Sequence, residues 1–263
     1  EDPLAHAAIL LPPEDVAQLY AQCDEIRPLD KPFSIHFEPM NTEDIWSDPL
    51  DDEWLCFLEQ HPQAINSLDV LDDIITLIYT HPLGETPYGP MRDCYSILQR
   101  AERIVEHAAL PAGRTLPWII PDNRPALRLL AHQILVCEHI LEDKTEAVRL
   151  SERYLQINPT DNHGYRTELV NNFLREGRNQ QAAAICANYP QDMMAETRYG
   201  HVLALYRLGD LAGAALRLSS AADHLPLVKD YLLRKRAAKP KLNRHSISIG
   251  GKDQAWIYRE AMR

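Results

Sequence analysis

The sequence predicts an all-α protein in which helix-turn-helix units stack in chain order, and three observations predict it. Apolar residues recur at i, i+3 and i+4 along most segments, the spacing of one helix face. A pattern of turn residue and alanine repeats in the second half at intervals of 35 and 32 residues. The best strand candidate, residues 32–38, alternates apolar and polar side chains but is short and bounded by Pro32 and Pro39, which makes it an extended segment and not part of a sheet.

The elements follow in order. Pro12-Pro13-Glu14-Asp15 ahead of Val16, Leu19 and Tyr20 marks a helix start with proline and acids in its first turn, running to about residue 26. Helices follow over 51–60, 64–80 and 88–109, the last carrying Cys94, Leu98, Ile104 and Val105 on one face, and Pro111-Ala112-Gly113 is a linker. Beyond it, aligning Glu142, Gly177 and Gly209 as turns places Ala147, Ala182 and Ala214 at one later position. Ile134, Leu169 and His201 share the packing position before the turn. Pro159, Pro190 and Pro226 close the units, with Pro190 arriving early. The small residue lets two helices approach, glycine takes the strained turn and proline ends the second helix. A last amphipathic helix over 253–262 caps the open end.

Charge divides the 263-residue chain in two. Residues 1–120 hold 6 Lys/Arg against 22 Asp/Glu, the remainder 21 against 16, for a net charge of −11. Thirteen of the 19 prolines fall in the first part, so it is the more often broken by loops. The expected organisation is an acidic, proline-rich, irregular helical region over 1–116 and a helical solenoid over 117–263. No apolar run reaches the roughly 18 residues that span a membrane. The first residue is Glu1 and not Met, as for a fragment or trimmed chain. Five cysteines without a CxxC pair encode neither a zinc ribbon nor a disulfide framework and fit a reducing, cytoplasmic compartment.

The three units resemble the tetratricopeptide repeat, with Glu142 in place of the first turn glycine and Ala131, Arg166 and Arg198 where an aromatic is usual. A narrower likeness covers residues 117–263. Asn123-Arg124-Pro125, the run from Asn158 to Arg166, Val228-Lys229-Asp230-Tyr231-Leu232-Leu233 and the run from Gly250 to Tyr258 resemble the carboxy-terminal region of the suppression-of-tumorigenicity-seven family and its bacterial relatives. That resemblance implies a helical, tetratricopeptide-like fold and no settled activity.

In such a solenoid the first helix of each unit lines a concave surface. Counting from the turns puts His132 and His139, then Asn171 and Arg175, then Tyr199, Tyr206 and Arg207 on it. Asn satisfies peptide backbone groups, Arg pairs acids and Tyr offers contact area, so the expected partner is a protein or peptide. Thr167 stands where carboxylate-clamping repeats carry lysine, which argues against that mode. Asp161 and Asn162 read as caps before a helix, and Arg166 and Arg198, at one repeat position, as clamps on a loop carboxylate or as an anion site. Asp72-Asp73 reads as a pair of helix-start acids. No phosphate loop, nucleophile elbow or metal-spaced cluster occurs, and neither catalytic residue, metal nor cofactor is assigned. Two alternatives stand beside the adaptor reading. One is a catalytic or small-ligand domain lidded by the first region, with Asp51, Asp52 or Asp72 meeting the His132/His139 helix. The other is nucleic-acid binding through the basic strip 229–244, disfavoured by the acidic chain and by a strip whose one aromatic is Tyr231.

Overall fold

The computed structural model of the chain describes residues 53–80, 92, 94–109, 115–243 and 246–263, and among them every regular element is helical. The expected helix to residue 26, the extended segment 32–38, the 111–113 linker, Asp51, Asp52 and Arg244 lie outside the described residues. The chain forms two compact units, one ending at His163 and one spanning Gly164–Arg263. The boundary expected between residues 116 and 117 falls inside the first.

The first unit contains α1 (Glu53–Gln60), a 3-10 turn (Pro62–Asn66), α2 (Leu68–Thr80), α3 (Tyr95–Ala109), a 3-10 turn (Pro121–Asn123), α4 (Arg124–His139) and α5 (Lys144–Ile157). The single helix expected over 64–80 is broken at Ser67, which is extended and whose hydroxyl accepts from the Val70 N–H at 3.4 Å. That break presents backbone to a neighbour. Arg100 of α3, fully buried, donates to Ile65 O at 3.1 Å and to Asn66 Oδ1 at 2.7 Å. Leu71, Ile75 and Ile78 of α2, Ile97 of α3, Leu127 of α4 and Tyr154 of α5 are buried, and α4 packs on α2, α3 and α5.

The second unit contains α6 (Tyr165–Arg175), α7 (Asn179–Asn188), α8 (Ala195–Arg207), α9 (Leu211–His224), α10 (Pro226–Leu233) and α11 (Lys252–Ala261). Each helix packs on the next, α6 also lies against α8, and α11 lies against both α10 and α8.

The expected turns are left-handed at all three positions: φ is 54° at Glu142, 76° at Gly177 and 85° at Gly209. In the second unit the N–H groups of Gly177 and Arg178 return to the carbonyls of Leu174 and Phe173, and those of Gly209 and Asp210 to Tyr206 and Leu205. These paired bonds satisfy helix-end carbonyls that would otherwise be orphaned. The next helix starts at once, with Asp143 accepting from the Glu146 N–H and Asp210 from that of Gly213. Ala147, Ala182 and Ala214 are all buried, as close helix contacts require.

Gly200 sets the approach of α8 to α6, because a Cβ there would lie 2.6 Å from Val170 Cγ1 and 3.3 Å from Leu174 Cδ1. Gly200→Leu is expected to destabilise the fold by about 1–3 kcal/mol through overpacking, although helix propensity alone favours the change. Chemical denaturation measures it; an unchanged midpoint would show that the two helices have slack.

Candidate functional site

The residues expected on one face are divided between the two units. In the first, Asp72 is not a helix-start acid: it lies in the second turn of α2, nearly fully buried, and is gripped by Arg128 of α4, whose Nε is 2.8 and 3.1 Å from its two oxygens. Burial raises the Asp72 pKa and the guanidinium opposes that rise, while hydrogen bonding to Asp72 holds Arg128 more firmly charged. The acid therefore meets the histidine helix at Arg128 and not at His132. His132, one turn further along, packs its ring against Tyr79 with centroids 5.8 Å apart. Burial, then the charge of Arg128, lowers its pKa, so the imidazole is neutral at pH 7. His139 sits exposed at the end of α4, 3.8 Å from Glu138. His163 closes the same unit, its Nδ1 hydrogen-bonded to the Tyr154 hydroxyl and its ring edge-on to Trp118 at 5.1 Å. Burial lowers its pKa as well.

The turn before α6 contains two of the expected polar residues. Asp161 is buried with φ 48°, and its N–H donates to Asn158 O at 3.0 Å. Asn162 is exposed and accepts from the Thr160 hydroxyl at 2.9 Å. The N-cap position of α6 belongs to Gly164, at φ 83°, with no side-chain cap hydrogen bond, so neither Asp161 nor Asn162 caps the helix.

In the second unit, Asn171 and Tyr199 are buried. The Tyr199 hydroxyl donates to Leu225 O at 2.9 Å, and its ring packs on Tyr258 of α11 at 6.1 Å in a cluster with Val228, Tyr231 and Ala255. The last helix thus covers the face of α8 that carries Tyr199. Arg175 donates to Ala261 O at 3.0 Å and Arg207 to Leu174 O at 2.6 Å, each guanidinium sitting where helix-end carbonyls concentrate negative charge. Among the seven residues expected to bind a partner, Tyr206 is exposed, at 63%, as are His139, Arg175 and Arg207.

Arg166 does clamp a carboxylate, that of Asp192, with Nε–Oδ2 at 2.7 Å and Nη2–Oδ1 at 3.1 Å, and it lies over the Tyr189 ring. Thr197 Oγ1 also donates to Asp192, at 2.8 Å. Burial alone would raise the Asp192 pKa; the hydrogen bonds from Arg166 and Thr197 and the Arg166 charge overcome it and hold the carboxyl below its usual range. Arg198, at the equivalent repeat position, has no such partner among the described residues: its Nη2 meets Met193 Sδ at 3.6 Å, and its Nε is buried without a hydrogen bond. It lines a cleft between α7, α8 and α9 together with His201, Arg217 and Ser220. Sequence reasoning placed His201 only as a packing residue and missed Asp192, Arg217 and Ser220, since no periodic signal links a loop acid or an exposed helix residue to a cleft.

Among the described residues no group of three or more His, Cys, Asp or Glu side chains is arranged to hold a metal ion, and no helix is long and apolar enough to cross a membrane. Comparison of the chain with protein families, with curated proteins and with solved structures returned no match.

Proposed function

We propose that this chain is a tetratricopeptide-like interaction module, an adaptor that binds a protein or peptide segment. The observation that carries this reading is the apolar surface at the α8–α9 turn and along α9. Tyr206, Leu211 and Leu216 are 63%, 62% and 70% exposed, and Leu208 and Leu218 are also exposed. Leu211, Ala215 and Leu218 fall at i, i+4 and i+7 on one side of a helix that buries only Ala214 and Ala221. Exposed apolar surface bordered by charge, here Arg207 and Arg217, marks sites of protein association. The repeated left-handed turns and buried alanines support the repeat assignment. A cytoplasmic location accords with the four cysteines among the described residues, all free and three of them buried.

This reading moves the binding surface away from Asn171 and Tyr199, which α11 and the core already occupy, to the open end of α8. The nucleic-acid alternative has less support, because Arg234 and Lys239 of the basic strip lie over the chain's own Tyr231 and Trp256 rings. The test is affinity purification from native lysate with three baits: the unaltered chain, Tyr206→Asp/Leu211→Asp, and Leu233→Asp as a charge control at another exposed leucine. A partner retained by the first and third baits and depleted at least about tenfold on the second is the expected result. Identical retention on all three would refute the surface, provided that circular dichroism shows each bait folded.

A further inference from the structure

The cleft between α7, α8 and α9 has a volume of about 30 Å³ and opens to solvent at its mouth. Cys186 and Ala221 line it with Tyr189 and Thr197, and two walls add the remaining polar groups, Arg198 and His201 on α8 and Arg217 and Ser220 on α9. Residues 198 and 201 are three apart, as are 217 and 220, so each wall turns a cation and a second polar group to the same side.

The charges in this cleft do not balance. Asp192, the carboxylate beside its rim, is already taken by the two-point grip of Arg166 and by the Thr197 hydroxyl. Among the described residues the Arg198 side chain hydrogen-bonds to a thioether sulfur alone, a weak acceptor, and its Nε is buried without a hydrogen bond. Arg217 makes no hydrogen bond or ion pair among the described residues. A buried guanidinium nitrogen left unsatisfied costs stability, and a cation pair facing one cavity without a counter-ion repels itself. Both costs are relieved by one ligand: an anion rich in acceptors. His201 strengthens the match. It is 8% exposed, and burial followed by the Arg217 charge lowers its pKa, so at neutral pH it carries a single N–H donor and no charge. Ser220 supplies a hydroxyl that can turn to donate. The lining is thus mostly donors, delivered from two walls instead of in one plane, which suits a tetrahedral oxyanion better than a flat carboxylate.

We propose that this cleft is a phosphoryl-binding site, in which Arg198 and Arg217 neutralise the oxyanion and His201 and Ser220 complete its hydrogen bonds. The same chemistry serves free phosphate and the phosphate monoester of a larger ligand. The site stands whether or not the α8–α9 surface binds a protein.

Isothermal titration of the full chain with inorganic phosphate at low salt tests it. Saturable one-to-one binding is expected, weakened about tenfold by Arg217→Gln and abolished in Arg198→Gln/Arg217→Gln. Arg217 is exposed, so its replacement leaves the fold intact and keeps the test valid if the double variant fails to fold. A parallel titration with a short phosphoserine peptide and its unphosphorylated parent separates the two sources. Tighter binding of the phosphopeptide than of phosphate assigns the site to an ester, equal or weaker binding to the free ion. Absence of saturable binding by either probe, or an affinity that Arg217→Gln leaves unchanged, overturns the proposal.

Discussion

Replacing Asp192 with alanine is expected to lower the unfolding free energy of the second unit by roughly 3–5 kcal/mol, the loss typical of breaking a buried ion pair by removing one partner. The Arg166 and Asp192 side chains are 17% and 6% exposed, so the orphaned guanidinium could not simply turn into water. Three further groups would lose their acceptor or their anchor: the Thr197 hydroxyl, the Met194 N–H at 3.2 Å and the stacked Tyr189 ring. Urea denaturation reads the change, and a loss under about 1 kcal/mol would place the pair with ordinary surface bridges.

The same carboxylate makes a pH dependence of definite sign. Its folded pKa is depressed below the unfolded value of about 3.9, so the native state binds the proton less readily than the unfolded chain. The resulting stabilisation is present above about pH 4 and disappears as pH falls through the lower, folded pKa. Asp192→Asn removes this contribution, so the stability gap between native chain and variant should narrow on acidification below about pH 4. A gap constant from pH 6 to 3 would show that Asp192 titrates normally.

Tyr258→Ala is the other substitution of large expected effect. The ring is 2% exposed in the cluster that joins α11 to Tyr199, Leu225, Val228 and Tyr231, and truncating a large buried aromatic costs about 3–5 kcal/mol. Because α11 packs mainly on α10 and on one side of α8, with single bonds such as Gln254 Nε2 to Met193 O at 3.2 Å beside them, the loss is expected to appear first as local opening. Amide exchange in Lys252–Ala261 should accelerate by about 10²–10³-fold while α6 and α7 stay protected. Unchanged exchange in α11 would mean that the helix is anchored elsewhere, through Arg259 and the carbonyls of Arg234 and Lys235. The variant also uncovers the Tyr199 face, so a partner gained on Tyr258→Ala would identify α11 as an internal occupant of that surface.

Much of the candidate site could not be read from the chain alone. Tyr206 was legible because its place follows from counting back from the Gly209 turn, and it is open. Asn171 and Tyr199 follow from the same count yet are buried, because the count identifies a helix face and says nothing of whether a later helix covers it. Arg166 was legible as a clamp, but its partner lies 26 residues away in an irregular loop. The Asp72–Arg128 pair spans 56 residues, and a carboxylate near the start of an expected helix looks identical in sequence whether it meets water or an arginine.

What the sequence by itself determined is local. The helical class, the left-handed turns at Glu142, Gly177 and Gly209 and the buried alanines five residues later all arise from backbone preferences and side-chain periodicity within a few turns. Even Glu142, which is not a glycine, adopts φ 54°. Tertiary structure alone decided which faces are covered: the break at Ser67 that receives Arg100, the closing of the Tyr199 face by α11 and the cleft where Arg198 and Arg217 stand without a carboxylate. The reason is physical. An apolar or charged face lowers the free energy wherever it finds a complement, and which distant segment supplies that complement depends on the packing of the whole chain and not on the order of residues around the face.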